Sequence, residues 1–442
     1  MGNLIQNTIF GRSKNKPFIS TWKTDNISTG SSTNKQVKLP LVNSGTYAFT
    51  VFWGDGTSNF ISSWNQTQTT HTYSTIGTYQ ISILGMCKGW AFNDSMDKLK
   101  ILSVETWGNL NLGNNGGYFS GCANLILSTI SDILDLNGTT NMSSFFSNCT
   151  ALTTLSGMHE WNVSAVTNMN SMFKSATNFN QNIGSWKVSA VTDLSSMFNG
   201  ATNFNNDGSS TINNWIIKSN GTVNMNSMFR MAKNFNQNIG LWNVSAVTNM
   251  GSMFQNATNF NQNIGSWNVS AVTDMVFMFS SATNFNQNIG SWNVSNVQNM
   301  GGMFAFNNVF NQNIGLWNVS NVQNMGSMFQ YATAFNQNIG SWNVSKVNSM
   351  NNLFQNADAF NQNIGSWNVS NVTQFHSFMT AKTPETFSAE NLDAIYNGWS
   401  SRPVKTPINI TFGSIKRTSA SDAGKSILTS APNNWIIADG GI

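Results

Sequence analysis

The feature that most constrains this chain is a repeat with a period of 25 residues. Six tryptophans lie 25 residues apart, each within a near copy of Phe-Asn-Gln-Asn-Ile-Gly-Ser-Trp-Asn-Val-Ser. One marker phenylalanine per copy, from Phe119 to Phe354, extends the array to about ten units between residues 99 and 380. A period of this length is typical of stacked repeats, because one unit cannot cover its own apolar face. The tryptophans are Trp242, Trp267, Trp292, Trp317, Trp342 and Trp367.

Each unit divides into two patterns. Residues 264–269 alternate between apolar and polar, which predicts a short strand, and Ser270 occupies a helix N-cap position. Apolar residues then recur at spacings of three and four, which predicts a short helix with one buried face. Strand plus helix in every unit predicts a mixed α/β, leucine-rich-repeat-like solenoid over residues 91–382. The apolar residues of the helical pattern are Val272, Met275, Met278, Phe279, Ala282 and Phe285.

Residues 36–90 have a different, strand-rich pattern. Residues 46–53 predict a strand, and Asp55 and Gly56 follow as a structural turn, since Asp-Gly tolerates positive φ. Trp53-Gly-Asp-Gly-Thr57, followed by His71-Thr-Tyr73 and Gly77-Thr-Tyr79, resembles a polycystic-kidney-disease (PKD) domain. That resemblance implies an immunoglobulin-like β-sandwich. Residues 1–35 are then expected to form an N-terminal arm.

The tail, residues 383–442, has its own composition. Residues 388–398 and 419–428 predict helices, and residues 408–412 and 435–438 predict strands. A stack of repeats needs its open end covered. We therefore expect an α/β C-terminal cap.

The repeats are similar to those of BspA-type leucine-rich-repeat surface proteins. The match rests on Val-Thr-Asn-Met-x-Ser-Met-Phe-x-x-Ala-Thr-x-Phe-Asn-Gln-Asn-Ile-Gly-x-Trp-Asn-Val-Ser and covers over half of the chain. The resemblance implies surface display and adhesion, and such repeats also resemble those of structural proteins in bacteriophages and large viruses. The first twelve residues lack the apolar segment of a secretion signal. This favours a virion structural protein on the virion surface, with a bacterial cell-surface adhesin that binds glycan or protein ligands as the alternative.

Composition and charge narrow the function further. Charged residues make up 9% of the chain, against roughly 25% in ordinary soluble proteins. The net charge of +4 is small and dispersed, which argues against a nucleic-acid partner, and the absence of a long apolar run argues against a transmembrane segment. His71, His159 and His376 are far apart in the sequence, so no catalytic residue, metal site or cofactor is expected, and the protein is predicted not to be an enzyme.

Candidate recognition residues come from two places. The tryptophan column, represented by Trp215, Trp267, Trp292 and Trp317, either covers the edge of the core or faces outward as a ladder for sugar rings. The Asn-rich columns either stack from repeat to repeat and hold turns or present a flat amide face to glycans. The insertion at 205–222 offers Asn206 and Asp207 as further candidates.

The expected partners are other virion or coat subunits, further copies of the chain, and a host-surface glycan or protein. A nearly uncharged repeat surface suits packing against other subunits, because isolated soluble proteins usually keep many mixed charges. Arg12, Lys14 and Lys16 are interpreted as a docking arm.

Overall fold

The computed structural model describes residues 16–442. Most of the docking arm, including Arg12 and Lys14, therefore lies outside the described residues. The chain divides into two compact units, Met1–Ala190 and Val191–Ile442. These two units do not test the predicted division into the four segments 1–35, 36–90, 91–382 and 383–442, which stays a prediction.

The described part of the first unit contains eight strands: β1 Phe18–Lys23, β2 Gln36–Lys38, β3 Leu41–Phe52, β4 Ser58–Ile61, β5 Thr70–Thr72, β6 Thr78–Trp90, β7 Ile101–Thr106 and β8 Leu110–Asn111. Six of them form one sheet with the order β4-β3-β6-β1-β7, in which β8 also pairs with β6. Its longest strands form because buried residues alternate with exposed ones, as at Tyr47, Phe49 and Val51. β2 and β5 pair only with each other.

The expected immunoglobulin-like sandwich over 36–90 is wrong. A sandwich needs two packed sheets, whereas the second sheet here is only the three-residue pair β2–β5. The central strand β6 has β1 as a neighbour, and β1 in turn pairs with β7. Both partners lie outside the predicted range, within residues assigned to the arm and to the repeats.

The predicted leucine-rich-repeat-like α/β solenoid is also wrong, because the repeats contain neither the helix nor the strand expected. Residues 264–269 form turns, and the second half of each unit is a run of tight turns with hydrogen bonds from residue i+3 to residue i. Met278 N donates to Met275 O at 3.2 Å, and Ala282 N donates to Phe279 O at 3.1 Å. Consecutive turns place residues three apart on one face, as a helix does, which explains the misleading spacing.

Successive repeats are joined by backbone hydrogen bonds from alternate residues. In the unit around Phe279, the amides of Met275, Phe277, Phe279 and Ser281 donate to carbonyls of the next repeat at 2.8–3.0 Å. Single parallel bridges, such as Asp274 to Asn299, continue the pairing between neighbours. Only β9 Val223–Asn224 and β10 Val247–Asn249 are long enough to count as strands in the repeats of the second unit.

The interior of the second unit consists of columns of identical side chains. Phe254, Phe279 and Phe304 stack at centroid distances of 5.7 and 5.9 Å, with ring planes within 9° of parallel. The small residue three positions after each marker phenylalanine is also buried, as Ala257 and Ala282 show. Because every column repeats the same shape, neighbouring units interlock with few gaps.

The tail contains helix α1 Ala389–Ser400, strand β11 Asn409–Thr411, helix α2 Asp422–Thr429 and strand β12 Ile436–Ala438. The expected α/β cap is nevertheless wrong as a description. Its sheet consists of only the two three-residue strands, which pair in parallel with each other. Within residues 16–442, no helix has the length and apolar character that crossing a bilayer requires.

α1 instead continues the contacts of the repeats. Trp399 Nε1 donates to Ile364 O at 3.2 Å, the bond that Trp367 Nε1 makes to Ile339 O one repeat earlier. A glycine lies on each side of this interface, because a Cβ on Gly398 of α1 would lie 2.0 Å from the carbonyl oxygen of Gly365 in the last repeat. Helix and last repeat are therefore in direct backbone contact.

Candidate recognition surface

Each repeat holds two residues in the left-handed backbone region, two positions before and two positions after the marker phenylalanine. Left-handed φ costs an ordinary L-residue roughly 1–2 kcal/mol, and Gly, Asn and similar short polar residues tolerate it best. Gly, Ser or Asn occupy most of these positions, as at Ser252 and Asn256. The exceptions are Met231, Phe277, Phe306 and Tyr331, with φ between 54° and 58°.

These four large side chains are all in the second unit and all reach the surface. Phe277, Phe306 and Tyr331 are 40%, 46% and 39% exposed, and Met231 is 38% exposed. Burial in the core does not explain a large side chain that is both exposed and placed on unfavourable backbone. Such outliers are a reason to suspect function.

Phe306 and Tyr331 occupy the column two positions after the marker on consecutive repeats, and Phe277 occupies the column two positions before it on the preceding repeat. We call these three residues the aromatic patch. The rings of Phe306 and Tyr331 stack with centroids 4.9 Å apart and planes 11° from parallel. Phe277 lies across the next repeat at Gly302, where a Cβ would come within 2.2 Å of the ring. Glycine at 302 thus makes room for Phe277, which ties the two repeats together at the surface.

The surroundings of the patch are polar and uncharged. Between residues 236 and 372 the charged residues are Asp274, Lys346 and Asp358. Side-chain amides are the main polar groups nearby. Gln330, next to Tyr331 in the sequence, donates from Nε2 to Gln355 Oε1 at 2.7 Å. The patch can therefore offer ring surface and neutral hydrogen-bonding groups, without a strong field.

The tryptophans proposed from the sequence lie in the interior. Trp215 is 2% exposed, and Trp267, Trp292 and Trp317 are 3% exposed. Trp292 Nε1 donates to Ile264 O of the preceding repeat at 3.1 Å, and its ring stacks on that of Trp317 at 6.4 Å. No open ring face is left for a sugar, so we do not carry these residues into a recognition role.

The two candidate residues of the insertion, Asn206 and Asp207, differ in their exposure to solvent. Asn206 is fully buried, and its Nδ2 donates to Ser209 O at 2.6 Å, which holds the loop on itself. Asp207 is exposed beside it, in the short 3₁₀ segment Asn206–Gly208. Only Asp207 presents a side chain to solvent.

The Asn-rich columns form hydrogen-bonded ladders. Asn311 Oδ1 accepts from Asn336 N at 3.0 Å and from Gln337 Nε2 at 2.9 Å, both in the next repeat. Asn286 and Asn336 make the same contacts one repeat away on each side. These amides satisfy backbone groups between turns, which fits the ladder interpretation.

The Asp55–Gly56 turn joins β3 to β4 and carries a charged contact. Asp55 Oδ1 accepts from Thr57 N and Oγ1 at 3.0 and 2.6 Å, and Asp55 Oδ2 lies 2.7 Å from His71 Nε2. Partial burial raises the pKa of Asp55, but the hydrogen bonds from Thr57 and His71 outweigh it and lower that pKa to about 2. Gly56 has φ +90°, a conformation that suits glycine.

Fold and surface together define a tandem-repeat protein whose repeats are joined by ladders of side-chain amides and carry a local aromatic patch. The family model described as "Mycoplasma protein of unknown function, DUF285" matches residues 115–222, 209–313 and 287–392. These overlapping matches cover more than half of the chain, and the protein belongs to this family. No curated protein matches the sequence.

Proposed function

We propose that this protein is a non-enzymatic, surface-displayed recognition protein that binds uncharged saccharide surfaces through the aromatic patch. The observation that carries the proposal is the exposure of Phe277, Phe306 and Tyr331 at positions where most other repeats have Gly, Ser or Asn. Their backbone conformation is costly for large residues. A cost of this kind is retained where it serves binding.

The chemistry of the patch favours a neutral sugar over a charged partner. Aromatic rings pack against the apolar C–H faces of pyranose rings, and amides hydrogen-bond to sugar hydroxyls. A charged ligand would lack a counter-charge, since Asp274 is the one ionised residue between 236 and 345. Stacking of Phe306 on Tyr331 also fixes the rings before binding, which lowers the entropic cost of association.

The setting is proposed as a virion surface, with the bacterial cell surface as the alternative. Support comes from the resemblance to BspA-type surface repeats and to phage and viral structural proteins, and from the nearly uncharged repeat surface. Membership in DUF285 is compatible with either setting. The PKD-like motif around Asp55 and the packing of this chain against coat subunits or copies of itself remain predictions.

Display can be tested with antibodies to the repeats, applied to intact purified particles and to intact cells of the source. Labelling of intact particles supports the virion setting, and labelling confined to intact cell envelopes supports the adhesin. If labelling requires permeabilised cells and particles stay unlabelled, the protein is not displayed and the proposal fails.

A further inference from the structure

A groove at the end of the repeats is chemically unlike the aromatic patch. It has a volume of about 660 Å³ and lies between the last two complete repeats and α1. The volume falls within the range of small-ligand sites, and the groove is largely open to solvent. The lining residues are Asn338, Gly340, Ser341, Gln362, Asn363, Gly365, Ser366, Ala394, Gly398 and Arg402.

The groove contains one cationic group, and its lining residues include no acid. Arg402 follows α1, and its Nη1 donates to Gly398 O at 2.8 Å. That bond orients the guanidinium, while Nε and Nη2 have no partner among the described residues. A guanidinium with two adjacent free N–H groups matches a carboxylate in bidentate geometry.

Two side-chain amides add unused donors to the lining. Asn338 Oδ1 and Asn363 Oδ1 accept from Gly340 N and Gly365 N, at 3.0 and 2.9 Å. These local bonds fix the amides, and within residues 16–442 neither Nδ2 group has a partner. The groove therefore presents preorganised N–H donors that a ligand rich in oxygen acceptors would satisfy.

The composition of the lining also favours a sugar over a peptide as the ligand. Ala394 is the only side chain with purely apolar character, and the glycines leave backbone exposed. A peptide would find no apolar pocket for its side chains, whereas a sugar would find hydrogen-bonding groups throughout. The volume also exceeds what a lone small anion fills.

We propose that this groove binds a carboxylate-bearing saccharide, with the sugar carboxylate on Arg402 and sugar hydroxyls on the Asn338 and Asn363 amides. The site is separate from the aromatic patch and does not depend on its ligand. It would let the protein recognise an acidic sugar residue in addition to neutral ones.

The test is calorimetric titration of the full chain with 3′-sialyllactose, lactose and sodium acetate. We expect 3′-sialyllactose to bind at least tenfold more tightly than either lactose or acetate. Arg402→Gln should weaken that binding at least tenfold, and Arg402→Lys should weaken it less, since charge remains without the bidentate fork. Lys405→Gln, which removes the same charge from an exposed residue outside the groove, should change it less than twofold.

Three outcomes would overturn the proposal. Equal binding of lactose would show that the carboxylate is not recognised, and equal binding of acetate would show an anion site without sugar recognition. Unchanged binding by Arg402→Gln, with circular dichroism and thermal midpoint matching the parent, would show that the ligand sits elsewhere. If Arg402→Gln fails to fold, Arg402→Lys and the ligand comparison still decide the question.

Discussion

Phe304 and Phe306 lie two residues apart, and substituting them should have very different effects on stability. The contrast tests whether the aromatic patch is needed for the fold. Phe304 is fully buried and stacks on Phe310 at 4.0 Å and on Phe279 and Phe329 at 5.9 Å. Phe304→Ala should therefore cost about 3–5 kcal/mol, as buried Phe truncations do.

Phe306→Asn should be nearly neutral. Losing the half-buried ring costs about 1 kcal/mol of apolar burial, and losing the stack on Tyr331 costs about 0.5–1.5 kcal/mol. Asparagine, which another repeat carries at the equivalent Asn256, recovers about 1–2 kcal/mol of left-handed strain. The net effect lies between a gain of about 0.5 kcal/mol and a loss of about 1.5 kcal/mol.

Urea unfolding, followed by circular dichroism and tryptophan fluorescence, measures both variants. A loss greater than about 2 kcal/mol for Phe306→Asn would mean that the exposed ring is needed for the fold. A role in binding would then not be needed to explain the strained position of Phe306.

Two further predictions concern polar contacts. Lys382 is 1% exposed, and its Nζ donates to three backbone carbonyls; burial, only partly offset by the charge of Asp358, lowers its pKa from 10.5 to about 8. Between pH 8 and 10.5 the unfolded chain then binds more protons than the folded one, so stability should rise with pH, by at most about 3 kcal/mol. The rise, measured as the urea midpoint at several pH values, should disappear in Lys382→Met. An identical pH profile in that variant would show that Lys382 does not cause the rise. Asn311→Ala removes two hydrogen bonds to the next repeat and should cost about 1–2 kcal/mol of stability in the same assay. The control Asn318→Ala loses one local hydrogen bond from Ser320 N and should cost less than about 0.5 kcal/mol. Equal losses in the two variants would argue that the Asn ladder does not stabilise the stack of repeats.

The sequence revealed the repeat period but not the backbone of the repeat. A helix and consecutive turns both place Met275, Met278 and Phe279 on one face, so periodicity alone could not separate them. The distinguishing signal was present in the columns at Ser252 and Asn256, where Gly, Ser and Asn recur because φ is positive. A helix would not select those residues at fixed positions.

The sheet of the first unit was missed for a different reason. β3 and β6 were visible as alternating segments, but β1, which pairs with β6, and β7, which pairs with β1, lie on either side of the motif that suggested a sandwich. Strand pairing over such separations depends on tertiary contacts that no local pattern encodes.

The aromatic patch could have been found by comparing repeats position by position. Phe277, Phe306 and Tyr331 break columns that are otherwise small and polar, but their exposure follows from left-handed backbone, which the helical interpretation hid. The Arg402 groove had no sequence signal, because α1 and the last repeats come together only in the fold.

An array of immobilised neutral and acidic oligosaccharides tests whether the aromatic patch recognises neutral saccharides. The parent chain should bind neutral members, and the variant Phe277→Ser, Phe306→Asn, Tyr331→Asn should lose that binding at least tenfold while its free energy of unfolding stays within about 2 kcal/mol of the parent's. Binding to acidic members through the Arg402 groove should persist in the variant and serves as the internal control. Neutral binding that is absent in the parent, or equally strong in the folded variant, would contradict the claim.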